Sequence, residues 1–262
     1  MTDLFKQFDM YNLKARVFPA LIAALPTLAL LFVLVPWDHL GLPHVTATAM
    51  GVVLLFAFAD VARRMGRRVE ARLGTRATPG QWHRGDSDIA EAAKDRYRTF
   101  IAQKLGLPAP TAAQERDDPV RANDFYLSAG NWLREHTRDT RAFAILFGEN
   151  ITYGFRRNLL GLKYIALIFN GFVLAISGAI IFFRPPYFIA LPQIDEKMAM
   201  IIAAAILHSA YMLFAVSAAS VREASRAYGR QLILSCETLL SKGTKPTTKR
   251  RNVNNASPTV QN

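Results

Sequence analysis

One cysteine in 262 residues, Cys236, leaves nothing to form an intrachain disulfide and too few thiols for a cysteine-built zinc site. It lies in a mixed apolar and polar stretch and reads as a small buried hydrophobe. The five histidines (His39, His44, His83, His136 and His208) put no pair at metal-ligand spacing on one helix face, so no metal is expected. Phosphate-binding loops are missing too, with neither a dinucleotide GxGxxG after a strand nor a P-loop. HExxH, GxSxG and a cysteine beside a histidine are equally absent. The expectation is a protein without a cofactor that is not an enzyme. Acidic residues such as Asp117, Asp118, Asp124, Glu135 and Glu149 stand beside arginines, in the pattern of solvated helix faces.

Charge is scarcest where apolar residues are densest. Four apolar runs, Val17–Val35, Val45–Ala59, Tyr164–Phe183 and Met198–Ala219, carry almost none of it. A span needs about 20 apolar residues to cross a hydrocarbon core of roughly 30 Å. The first, third and fourth runs meet that length, and the second needs residues from Leu40 onward to complete it. A signal peptide competes for the first run, since Lys14 and Arg16 precede it, but it is long for an h-region and no A-x-A site follows. Pro19 falls in its first turn; Pro26 lies mid-span and should kink it. Trp37 and Tyr187 sit where interfacial aromatic anchors are expected.

The basic residues set the orientation. Of 32 lysines and arginines, 30 lie before the first run, between the second and third, or after the fourth; the two hairpin loops hold only Arg184 and Lys197. The positive-inside rule makes the side rich in lysine and arginine cytoplasmic. The fold expected is an all-α membrane protein of a bacterial inner membrane, four transmembrane helices in two hairpins, with a helical cytoplasmic domain between them and both termini inside. Its segments are residues 1–16, a first hairpin 17–62, a basic domain 63–163, a second hairpin 164–219, and a basic tail 220–262 with a disordered end. Much of the pI of about 10.1 is then the charge that fixes topology.

Within the basic domain, ARRMGRRVEARLGTR places Arg63, Arg64, Arg67, Arg68 and Arg72 at helical spacing on nearby faces. Such a row can rest on anionic lipid headgroups, at about 1 kcal/mol per residue. Several copies around an axis would instead make it an anion-binding wall. After a turn-rich break at Ala77–Gly85, a helix capped by Asp86 or Ser87 runs to Gly106, and LPAPTAAQERDD reads as a linker. A second helix starts at Asp118 with Pro119 in its first position and a stripe of Val120, Phe125, Leu127 or Ser128, Trp132 and Leu133. A third starts at Asp139 or Thr140 and meets no strong stop before the membrane. It would join the domain mechanically to the third span.

Inside the membrane, His208 lies near the middle of the fourth run. An ionisable residue at that depth faces a protein interior or a water path, as interhelical glue or as a gate. Asn170 and Ser177 share one face of the third span, beside a stripe of Gly171, Ala175 and Gly178 suited to close packing. Arg156 and Arg157 stand at its cytoplasmic mouth and complete the pore or gate candidates.

Two hairpins around a basic helical segment with no enzyme motif resemble the small membrane effectors of bacterial anti-phage systems, and the arginine-rich interior resembles Hailong-type ion-channel subunits. The resemblance is one of architecture and carries over no residue by identity. It implies a homo-oligomeric channel with a basic cytoplasmic bowl for a nucleotide or single-stranded oligonucleotide, and a neighbouring gene for a nucleotide-signalling enzyme. The alternative is a non-conducting anchor, held in membrane lipid, that recruits a cytoplasmic protein. A secondary transporter is a poorer fit, because the spans lack paired charges and clearly broken helices.

Overall fold

The computed structural model describes residues 10–35, 44–75 and 79–243, and among them every regular element is a helix. The hairpin loop with Trp37 and the tail beyond residue 243 lie outside the described residues. Three helices are long and apolar enough to cross a membrane: α1 (Met10–Leu34), α7 (Ala144–Phe183) and α9 (Ile194–Phe214). That is the pattern of a multi-pass membrane protein. The second expected span falls in α2 (His44–Leu73), whose described part is apolar up to Ala59 and basic beyond.

The apolar side chains of these helices largely point outward. Phe32, Phe182, Leu207 and Phe214 are all more than 70% exposed. An aqueous fold does not leave so much large apolar surface open, whereas lipid covers it without penalty.

Helix α7 organises the molecule. Its forty residues run unbroken because no proline interrupts them, and they stop where Arg184 turns left-handed (φ 45°) ahead of Pro185 and Pro186. Along its length it enters three clusters of buried side chains. Leu146, with Phe143 before the helix, joins an extramembrane core built on Trp82, Tyr97, Tyr126 and Leu133. Tyr153, Leu159, Leu162 and Ala166 pack with Ala62, Val69 and Val221 at the junction. Val173 and Ile180 meet Leu30, Met198 and Ala205 in the membrane. One continuous helix is thus shared by extramembrane and membrane packing, as the missing stop signal implied.

The remaining elements of this domain are α3 (Pro79–Trp82), α4 (Glu91–Leu105), α5 (Ala112–Asp117) and α6 (Pro119–His136). Helix α6 begins as expected: Asp118 accepts the Arg121 N–H at 3.1 Å, with Pro119 next. Gly106 ends α4 at φ 65°, a conformation that favours glycine.

Several boundaries differ from the sequence reading. Helix α4 starts at Glu91 because Asp86 is engaged elsewhere. Its side chain takes the Asp88 N–H at 2.9 Å, and its carbonyl takes the fully buried Lys94 ammonium at 2.7 Å. The expected linker contains α5, closed by a reciprocal capping box between Thr111 and Gln114. Asp139 does cap a turn, through the Arg141 and Ala142 N–H groups, but the helix itself begins at Ala144. Val120 and Leu127 of the expected α6 stripe are exposed, while Phe125 and Leu133 are buried.

The larger difference lies beyond α8 (Pro186–Ile189) and α9. The first part of the expected basic tail is a 26-residue helix, α10 (Ala218–Gly243). It returns along α7 and inserts Leu232, Ile233 and Cys236, none with any exposed surface, into the extramembrane core. Burial pushes the Cys236 thiol up to about 12, so it is an inert packing group, as its sequence context suggested.

Candidate functional site

The region with most chemistry lies at the arginine-rich end of the membrane helices, where α1, α2 and α7 cross. Close approach there depends on glycines. A methyl group on Gly161 of α7 would stand 2.7 Å from the Gly66 nitrogen and 2.7 Å from the Met65 carbonyl carbon in α2. One on Gly154 would stand 2.9 Å from the Ala15 Cβ in α1. Helix α1 carries a π-helical stretch at Leu13–Val17, closed by a Phe18 N–H to Leu13 carbonyl bond. Pro19 has no N–H to offer the Ala15 carbonyl one turn back; the buried Asn158 amide of α7 donates to it instead, at 2.6 Å.

These contacts draw arginines together. Arg63 and Arg67 of α2 and Arg157 of α7 lie close enough to Arg16 of α1 for their charges to act on it. Arg157 is mostly buried, pairs with Glu70 and lies over the Tyr153 ring at 5.3 Å. Arg64, exposed, pairs with Asp60 at 2.7 Å; Arg68 touches the Met65 sulfur at 3.4 Å, and Arg72 lies exposed at the end of α2. Among the described residues no carboxylate pairs with Arg16, Arg63 or Arg67.

Other side chains here staple α7 to its neighbours. Arg156 donates to the Ser220 carbonyl at 3.0 Å and to Glu223 at 2.9 Å, both on α10. Lys163 donates to the carbonyls of Leu213 and Val216 at 3.0 and 2.9 Å, satisfying the open end of α9. Tyr153, Thr75 and Ser225 form a clasp: the Tyr153 and Ser225 hydroxyls both donate to the Thr75 carbonyl, at 3.2 and 3.1 Å. A polar cavity of about 320 Å³ beside this clasp is lined by Glu70, Arg134, Asn150, Arg157 and the stacked Tyr153 and Tyr228.

The intramembrane candidates lie elsewhere. Asn170 and His208 are buried between α7 and α9; the Asn170 amide donates to His208 Nδ1 at 2.9 Å and to Ser209 Oγ at 2.8 Å. The other ring nitrogen, Nε2, is buried without a hydrogen-bond partner among the described residues. Ser177, on the same face, is also buried, and its hydroxyl has no hydrogen-bond partner among the described residues. Within one copy these groups join helices, a contribution of about 1 kcal/mol for a membrane hydrogen bond. Around Gly171 and Gly178 there is open space, so the small-residue stripe faces away from the chain's own packing.

The structure thus brings Arg63, Arg67 and Arg157 together and leaves Arg64, Arg68 and Arg72 on the outer face. It places His208, Asn170 and Ser177 farther along α7 and α9, in the apolar stretch. Arg16, Glu70, Tyr153 and Asn158 belong to the site and were not singled out from sequence. The signal for Asn158 was present in Pro19, whose missing N–H frees a buried carbonyl.

The extramembrane domain holds a second polar network. Arg84 and Tyr126 both bond Glu115, and Arg98 reaches the Trp82 carbonyl, Glu91 and Asp95. Burial pushes the Glu115 carboxyl up, but the Tyr126 hydroxyl, the Arg84 N–H and the nearby guanidiniums outweigh it and hold the group below its ordinary range. These bonds fix the 79–90 segment. Among the described residues no cluster of three histidine, cysteine or acidic side chains could hold a metal.

Comparison with known proteins finds no matching family model, no matching curated protein and no matching solved structure.

Proposed function

We propose that this chain is an oligomeric ion channel or pore-forming effector of a bacterial inner membrane, opened by a nucleotide or oligonucleotide at its basic cytoplasmic surface. The observation that carries the reading is α7, one helix running from the cytoplasmic core through the arginine-lined crossing and the membrane cluster. An anion drawing the arginines together would shift α7 against α1 and α2, and the same helix bears Asn170 and Ser177. In this reading α2 completes a fourth span: Val52, Val53, Leu54 and Phe56 are exposed on its apolar half, as lipid-facing residues are. Two hairpins then place both termini in the cytoplasm, and anti-phage defence with a nucleotide-signalling partner is the setting. The outward stripe at Gly171 and Gly178 suits packing between copies, which conduction requires because four helices cannot enclose a wide water path.

The test is current across a planar bilayer holding the purified protein, with and without short single-stranded oligonucleotides on the cytoplasmic side. Discrete currents that respond to the oligonucleotide are expected. Substituting Arg63, Arg64, Arg67 and Arg68 with glutamine should abolish the response while leaving insertion intact. A silent bilayer despite verified insertion would overturn the channel reading.

The second reading, a non-conducting anchor whose cytoplasmic helices recruit a protein, is favoured by the Asn170–His208 pair. Asn170 and His208 Nδ1 bond each other in the packed interior of one copy, where both side chains are buried.

A further inference from the structure

Between α1 and α2, beside the arginine crossing, lies a cavity of about 290 Å³ lined by Asn12, Arg16, Val17, Phe56, Asp60 and Arg63, with Ala59 at its floor. Its two guanidiniums are half-buried. Each is without a carboxylate partner among the described residues, and Asp60, the acid at the rim, is taken by Arg64. Arg16 lies over the Tyr11 ring at 5.4 Å, which holds its head in place without neutralising it. Like charges held together and half-buried are unfavourable without a counter-anion.

The cavity wall is amphipathic. Arg16 and Arg63 form one side, while Val17, Phe56 and Ala59 continue into the exposed apolar surface of Phe18, Val52 and Val53. The change from apolar to basic along α2, between Phe56 and Arg63, marks the boundary of the cytoplasmic leaflet.

We propose that the cavity framed by Arg16 and Arg63 is a phosphate-binding site at the membrane boundary, taking the phosphate of an anionic phospholipid headgroup or of a soluble phosphate compound. Guanidinium pairs suit this chemistry because each offers a planar fork of donors to tetrahedral oxygens. An anion there would bridge α1 to α2 at the point where both cross α7. The site does not depend on conduction; it would serve an anchor as well as a channel.

The experiment is thermal unfolding of the full chain in neutral detergent, with phosphatidylglycerol, phosphatidylcholine or sodium phosphate added in separate arms at equal ionic strength. Phosphatidylglycerol, well above its dissociation constant, is expected to raise the midpoint by about 5 °C, and phosphatidylcholine to leave it unchanged. Arg16→Gln with Arg63→Gln should remove most of that shift, while Arg138→Gln, away from the cavity, should keep it. A shift with sodium phosphate and none with lipid would identify a soluble phosphate compound as the occupant. An equal shift in parent and double variant, or no shift with any phosphate source, overturns the site. Should the double variant fail to fold, native mass spectrometry of the parent decides instead. Preferential retention of phosphatidylglycerol over phosphatidylcholine supports the site, and equal retention overturns it.

Discussion

Gly161→Ala is expected to destabilise the folded protein by about 2 kcal/mol, despite placing a better helix former in the middle of α7. Alanine gains about 1 kcal/mol over glycine in a helix interior. The added methyl group, however, would stand 2.7 Å from two backbone atoms of α2, which no rotamer change can relieve. Overpacking of this kind costs about 1–3 kcal/mol, and backbone against backbone belongs at or above the upper end. Gly51→Ala of α2 and Gly148→Ala of α7 are the internal controls, since open space surrounds both positions; they should be neutral or slightly stabilising. Thermal midpoints in detergent measure all three, with a fall of roughly 5 °C for Gly161→Ala. If the three variants melt together, α2 and α7 do not cross at Gly66 and Gly161.

Termination of the chain after Arg226 should unfold the extramembrane domain while leaving the membrane helices inserted. The deletion removes Leu232, Ile233 and Cys236 from the core, and with them Glu237, which accepts the Tyr97 hydroxyl at 2.7 Å. Burying a single leucine that alanine replaces is worth about 2–5 kcal/mol, so Leu232→Ala alone should be visible and the truncation severe. Limited trypsin digestion reads it directly. Arg96, Arg98, Arg121 and Arg134 should become cleavage sites in the truncated chain and stay protected in the parent. Equal resistance in both would mean that α10 lies against the domain without belonging to it.

The difference between these two cases reflects what a sequence can carry. The run of α7 through the boundary was legible because it needs only the absence of a stop, and α6 because Asp118–Pro119 is a local cap. The membrane runs were legible from length and charge. Helix α10 was obscured by its own basic residues: Arg222, Arg226 and Arg230 interrupt a periodic set of Val221, Ala224, Tyr228, Leu232, Ile233 and Cys236 that now reads plainly as a buried face. Helix α5 was hidden by the prolines before it. The site was legible as a row of arginines on α2 and as Arg156 and Arg157 at the end of the third span. Which of the α2 arginines meet Arg16 and Arg157 depends on glycine contacts between segments nearly a hundred residues apart, and no local pattern encodes that. The intramembrane histidine was legible as expensive, but its buried bond to Asn170 depends on the register of two helices.

A single uninterrupted helix belongs to both the extramembrane and the membrane packing. Hydrogen–deuterium exchange of the full chain in lipid nanodiscs tests it most directly, because amides exchange only where the helix opens. Slow exchange without a break through residues 150–180, including the Arg156–Lys163 stretch at the membrane boundary, is the predicted result. A fast-exchanging segment at 156–163 between two protected ones would contradict it, leaving an extramembrane domain tethered to the membrane rather than coupled to it.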